Sequence, residues 1–129
     1  MVQTEHVIDA SAALAFLLGE RGSEVVTPRL PGGLISAVNL AEVAQRCWRL
    51  GHDPTPFVDR LTDAGLRVAD ADTLAARLAA DLEQLTRPYG LSLADRFCLA
   101  LALDRSAPVL TSDRPFLQLG LPIPIILIR

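Results

Sequence analysis

Short apolar runs of strand character alternate with helical runs along this chain, and no other feature limits its fold as much. Residues 6–8, 34–37, 66–69, 108–111 and 123–128 read as strands. Helices are expected from a Ser11 cap to residue 18, over 22–30, from an Asn39 cap to about residue 50, and over 54–64, 72–85 and 92–104. Gly51 stops the third of these, and "DPTP" starts the fourth. Over 72–85, Leu74, Leu78 and Leu82 fall on one side at helical spacing. Strands that alternate with helices pair in parallel, because each crossover returns the chain to the same edge. The expectation is therefore an α/β fold of three layers, with a central parallel five-stranded sheet and helices on both faces. Pro122 and Pro124 put the last strand at an edge, since proline cannot donate to a ladder. At 129 residues, half of them hydrophobic, one domain over residues 1–129 can bury a core without disulfides.

In such sheets ligands sit beyond the carboxyl ends of the strands, near the switch in strand order. Four acids reach that edge. Asp9 ends the first strand and Asp113 follows the fourth, in "PVLTSDRPF". Glu42 lies three residues after Asn39 in "SAVNLAEV", and Asp95 three after Ser92 in "GLSLADRF", both in expected first helical turns. Each acid also has a local reading. Asn39-x-x-Glu42 is close to a capping box and Ser92-x-x-Asp95 is a looser one, while Asp113 before "RPF" is placed as an N-cap. A carboxylate in a first turn also gains about 0.3–1 kcal/mol from the helix dipole. Asp9 resists such a reading, because an unpaired carboxylate at the end of a central strand is costly to desolvate.

Four converging carboxylates repel one another, so something must neutralise them. Net charge is −3 and every basic residue is arginine, with no lysine anywhere. His6 lies within a strand and His52 in a polar turn, without ligand spacing. A hard divalent cation remains. Mg²⁺ or Mn²⁺ prefers carboxylate oxygens and often completes its shell with a substrate phosphate, which points to metal-dependent phosphodiester hydrolysis.

At these residues the chain resembles a PIN domain, and more narrowly a VapC-type toxin ribonuclease of a type II toxin–antitoxin pair. The resemblance rests on "VIDASAALAFL", "ISAVNLAEVAQR", "LSLADRFCLALAL" and "APVLTSDRPF", in this order, with "IPIILIR" like the family's last strand. It implies a parallel five-stranded sheet and an Mg²⁺ or Mn²⁺ site made by Asp9, Glu42, Asp95 and Asp113. It implies an endoribonuclease in which a metal-activated water attacks RNA, leaving a 5′-phosphate and a 3′-hydroxyl. Ser11, Asn39, Thr111 and Ser112 fall where polar residues often support such a site. A homodimer and a cognate VapB-like antitoxin, whose tail covers the site, are implied as partners. The RNA substrate class spans tRNA and rRNA. Many relatives carry another acid two residues after the fourth, where this chain has Pro115.

RNA requires positive charge beside the acids. Arg46 and Arg49 follow Glu42 on one helix, and Arg96 and Arg114 directly follow Asp95 and Asp113, as candidate phosphate contacts. A salt bridge from Arg46 to Glu42, or plain solvation, is the other reading of these charges. Trp48 is placed to face a groove for an antitoxin helix, with core packing as its other reading. A catalytically silent PIN-fold dimeric interaction module is the alternative function, with Pro115 as its reason. Phosphotransfer proteins of receiver or haloacid-dehalogenase type require a lysine, and the latter D-x-D where this chain has Asp9-Ala10-Ser11. A P-loop enzyme requires G-x-x-x-x-G-K-[ST], which is absent.

Cys47 and Cys98 sit in helical apolar patterns without C-x-x-C spacing, as packing residues of a reducing compartment. Asp9 interrupts the first apolar run too early for a signal peptide, and no run approaches the roughly 20 residues of a membrane span. The expected location is the cytoplasm, with no membrane partner.

Overall fold

The computed structural model describes residues 5–129. Five strands run in the order β3-β2-β1-β4-β5, all parallel: β1 (Val7–Ile8), β2 (Leu34–Ser36), β3 (Arg67–Ala69), β4 (Val109–Thr111) and β5 (Ile125–Leu127). Val7 pairs with both Leu34 and Val109, which fixes β1 as the central strand. The chain winds outward through β2 and β3, then restarts at β4 on the other side of β1. The switch in strand order therefore lies between β1 and β4. β5 is an edge strand, as its prolines require.

The helices are α1 (Ala10–Leu18), α2 (Ser23–Val26), α3 (Ala37–Arg49), α4 (Thr55–Asp63), α5 (Thr73–Asp81), α6 (Glu83–Thr86) and α7 (Leu93–Arg105). Neighbouring strand residues point to opposite faces, and the core divides accordingly. Ile8, Leu110 and Ile126 pack with α1, Val26, Val43 and Leu61. Val7, Val109 and Ile125 pack with Ala79, Leu82, Leu99, Ala102 and Phe116. Both faces are covered at the centre, where β1, β2 and β4 are buried throughout, while the edge strand β3 exposes Arg67 and Val68. Alanines at 10, 12, 13 and 15 are buried in α1, and such small side chains let this helix lie close to the sheet. Gly19 ends α1 with φ 65°, a left-handed cap that glycine adopts without strain.

Several expected boundaries shift. Ser11 and Asn39 are not caps. The caps are Asp9 and Ser36, each still in extended conformation, so the last residue of the strand segment is also the first of the helix. Ser36 Oγ accepts the Val38 N–H at 3.2 Å. This moves Asn39 inside α3 and Glu42 from its first turn to its second. Ser92 caps α7 as expected, with a complete capping box to Asp95. The helix expected over 22–30 gives way at Thr27–Arg29 to a 3₁₀ turn around Pro28. The one expected over 72–85 breaks at Leu82, between α5 and α6, where the buried Thr86 hydroxyl donates to the Leu82 carbonyl at 2.8 Å. No helix among the described residues is long and apolar enough to cross a membrane.

Candidate active site

Asp9 is only 2% exposed. Its backbone carbonyl accepts from Ala12 and Ala13 and starts α1, but its side chain makes no cap bond. Oδ2 instead accepts from Ser11 Oγ at 2.8 Å and from Thr111 Oγ1 at 2.7 Å. Both hydroxyls are themselves acceptors. Ser112 N–H donates to Ser11 Oγ, and Asp113 N–H donates to Thr111 Oγ1, each at 3.0 Å. Two side chains thereby lock the carboxylate after β1 to the backbone of the loop after β4.

Asp113 caps the 3₁₀ turn Arg114–Gln118 by backbone alone; its side chain makes no cap bond. Asp95 sits in the first turn of α7, where Oδ2 accepts the Ser92 N–H at 2.8 Å. One carboxylate oxygen from each of Asp9, Asp95 and Asp113 lies within 4.8 Å of the others. Glu42 stands outside this triad. Its Oε1 accepts from Asn39 Nδ2 at 2.9 Å, and it lines the same cleft of about 250 Å³ with the three aspartates.

Crowding and burial perturb these groups in one direction. Burial is the largest cause of a rise in the Asp9 pKa from 3.8 to about 6; Asp95 and Asp113 add to it, and the two hydroxyls oppose it. Burial also raises Asp113, with Asp95 beside it, and raises Glu42 against the opposing Asn39 hydrogen bond. All three shifts disfavour the charged form, and a cation placed among the carboxylates would reverse them. The donor set is oxygen only. Cys98, wholly buried and nearby, has its thiol pushed far up by burial and stays protonated. Such a set suits a hard divalent ion better than zinc or copper, which favour nitrogen and sulfur donors.

The cations divide. Arg46 and Arg49 line the cleft, and neither forms an ion pair among the described residues, so the i,i+4 bridge from Arg46 to Glu42 is absent. Arg96 turns the other way: Nη1 bonds Glu83 Oε2 at 2.8 Å and contacts the Leu91 carbonyl at 3.4 Å. Arg114 is exposed on its turn and outside the cleft lining. Gln45 lines the cleft without having been singled out from sequence. Its position three residues after Glu42 was the available signal. Trp48 is 64% exposed, which removes the core-packing reading.

A parallel sheet whose switch point gathers four carboxylates in one cleft defines a narrow class, and known proteins specify it. The PIN domain family model matches residues 6–121. Ribonuclease VapC42 of Mycobacterium tuberculosis is 33% identical over 117 residues, which cover 81% of this chain and 87% of that protein. VapBC2 from Rickettsia felis, bound to a DNA fragment from their promoter, superposes with a TM-score of 0.74 at 14% identity, over 96% of this chain and 98% of that one. DNA-bound VapBC from Salmonella typhimurium gives 0.71 at 18% identity, over 98% and 99%. The two structures bear on the fold, and the sequence relative narrows the class. The chain belongs to the PIN-domain family and, within it, to the VapC toxin ribonucleases.

Proposed function

We propose that the chain is an Mg²⁺- or Mn²⁺-dependent endoribonuclease whose centre is Asp9, Asp95 and Asp113, with Glu42 beside them. The observation that carries this reading is the triad itself: three carboxylate oxygens within 4.8 Å, one of them on a buried Asp9 whose pKa stands at about 6. A fold that brings like charges together so tightly stores repulsion that a bound cation would relieve. When bound, the cation would polarise the scissile phosphate and acidify water at neutral pH.

The chain's own residues do the rest. Asp9, Asp95 and Asp113 would hold the ion through one oxygen each. Ser11 and Thr111 hold Asp9 Oδ2, which leaves Oδ1 without a protein donor among the described residues. Glu42 Oε2, likewise untied, would add a further oxygen to the ion, directly or through water. Arg46 and Arg49, on the α3 wall of the cleft, are suited to the phosphates flanking the scissile bond. Arg96 pairs with Glu83 and lies outside the cleft lining, so that role is not assigned to it.

The partner reading follows the relatives. VapBC complexes share the fold, which supports a VapB-like antitoxin as the cognate partner; a homodimer is proposed from the family resemblance alone. An apolar groove of about 410 Å³ between α3 and α4, lined by Leu40, Ala44 and Val58, fits an antitoxin helix, and the exposed Trp48 belongs to α3 as well. The nuclease is tested on antitoxin-free protein incubated with structured tRNA and rRNA fragments in Mn²⁺ or chelator, beside Asp9→Asn. Cleavage that requires Mn²⁺ and is lost in the variant is expected. Equal cleavage by both proteins, or cleavage in chelator, would overturn the reading. A protein that binds antitoxin but cleaves none of these RNAs would point to the silent dimeric module.

A further inference from the structure

Asn39 is fully buried inside α3, where an apolar side chain would suit the core better. Its Oδ1 is buried without any hydrogen-bond partner, a standing penalty for any interior amide. The compensation lies on the other atom. Nδ2 has two hydrogens and uses both, donating to Glu42 Oε1 at 2.9 Å and to the Ala94 carbonyl at 3.1 Å. Both partners are acceptors, so the amide cannot be turned over without setting oxygen against oxygen. Ala94 directly precedes Asp95 in the first turn of α7. One amide group thereby ties the carboxylate of α3 to the segment that carries a triad member.

We infer that Asn39 is a positioning residue, which fixes where Glu42 stands relative to the Asp9–Asp95–Asp113 triad by anchoring it to α7. The inference rests on the reading of these acids as a cation site. Glu42 is half-buried on a long side chain with several rotors, and among the described residues no other donor holds it. With Oε1 held, Oε2 is the oxygen left to the cleft. An outer partner of this kind orients a ligand group without touching the substrate. Sequence alone misassigns Asn39 to a cap, because the cap sits three residues earlier, at Ser36, the last residue of β2.

The test is a double-mutant cycle of Asn39→Leu and Glu42→Ala. Leucine is close to the amide in shape and removes the orphaned oxygen, which offsets part of the cost of leaving Glu42 Oε1 and the Ala94 carbonyl without their donor, so the thermal midpoint should fall only modestly. Mn²⁺ binding is read by calorimetry without RNA, and kcat and KM are measured separately. Asn39→Leu should weaken Mn²⁺ binding and lower kcat by about ten- to a hundredfold, with KM for RNA unchanged. In the Glu42→Ala background the same substitution should change nothing further. Wild-type kcat and Mn²⁺ affinity in Asn39→Leu would overturn the inference, as would an equal fold loss in both backgrounds. If the leucine variant does not fold, Asn39→Ser enters the same cycle. The two readings fail differently. Additivity in an enzyme that binds Mn²⁺ and depends on Asp9 removes only the role of Asn39. Cleavage indifferent to Mn²⁺ and to Asp9→Asn removes the cation site, and this inference with it.

Discussion

Asp9→Asn should abolish catalysis and yet stabilise the metal-free protein at neutral pH. The folded state raises the Asp9 pKa from 3.8 to about 6, with burial as the largest cause. The side chain is 2% exposed, so solvent screening does not discount the effect. A rise of about two units corresponds to roughly 3 kcal/mol, at about 1.4 kcal/mol per unit. The sign follows from which state binds the proton more tightly. A group with a raised folded pKa contributes stability that is complete below its unfolded pKa and lost as pH rises through the folded one. For Asp9 that window runs from 3.8 to about 6, so the full penalty is present at neutral pH. Asparagine carries no charge, and its Oδ1 can still accept from Ser11 and Thr111. In chelator at about pH 7.5 the variant should exceed wild type by up to about 3 kcal/mol, on the order of 10 °C in thermal midpoint for a chain of this size. The gap should close as pH falls toward about 4. Added Mn²⁺ should raise the wild-type midpoint and leave the variant unchanged. Thermal unfolding followed by circular dichroism, on both proteins at both pH values, reads every term. If Asp9→Asn melts at or below wild type in chelator at neutral pH, or the gap persists in acid, Asp9 is not a repressed charge and the electrostatic account of the site fails.

Thr111→Val removes the donor to Asp9 Oδ2 and the acceptor for the Asp113 N–H together. Chemical denaturation should show a loss of about 1–3 kcal/mol, because valine keeps the shape but leaves the Asp113 N–H without its acceptor and Asp9 Oδ2 with Ser11 as its one remaining donor. Arg46→Gln and Arg49→Gln should each weaken RNA binding and flatten its salt dependence, by about 0.7 in the log–log slope per phosphate contact on a single strand; an unchanged slope in a filter-binding titration would remove these arginines from the RNA path. Arg96→Gln should leave that slope alone and lower stability by about 1 kcal/mol, since its partner Glu83 is partly exposed and also pairs with Arg87. A shallower slope in Arg96→Gln would instead return Arg96 to the substrate.

What was legible in the sequence is what depends on strand and helix order. A parallel sheet sends each strand's carboxyl end and the following helix start to one edge, so Asp9, Asp95 and Asp113 could be placed together from their positions after β1, in the first turn of α7 and after β4. What was not legible depends on where a side chain turns. Arg96 follows Asp95 directly, yet its direction is set by Glu83 on α6, which exists as a separate helix only because the chain breaks at Leu82. Glu42 was placed in a first turn by counting from Asn39. The true start is Ser36, whose extended backbone serves both strand and cap, and no residue preference separates those two uses. Pro115 falls inside the 3₁₀ turn after Asp113 and supplies no carboxylate, in keeping with a triad as the compact unit.

Capping and cation binding were set against each other as rival readings of each acid, and the structure shows why they do not compete. A carboxylate has two oxygens. Asp95 gives Oδ2 to the Ser92 N–H and still brings an oxygen within 4.8 Å of Asp9 and Asp113. Asp9 gives Oδ2 to Ser11 and Thr111, and Glu42 gives Oε1 to Asn39. In each case a donor from the protein fixes one oxygen and therefore the direction of the other. Fixing three of the four acids this way means their repulsion cannot be relaxed by side chains swinging into solvent, and the raised pKa values of Asp9 and Glu42 persist although hydrogen bonds work against them. The capping interaction is thus part of how the edge is held in readiness. At Asp95 the helix start itself supplies the donor, whereas Ser11 and Thr111 supply it at Asp9 and Asn39 supplies it at Glu42, so one principle of holding a single oxygen is met by a cap in one case and by neighbouring side chains in the other two.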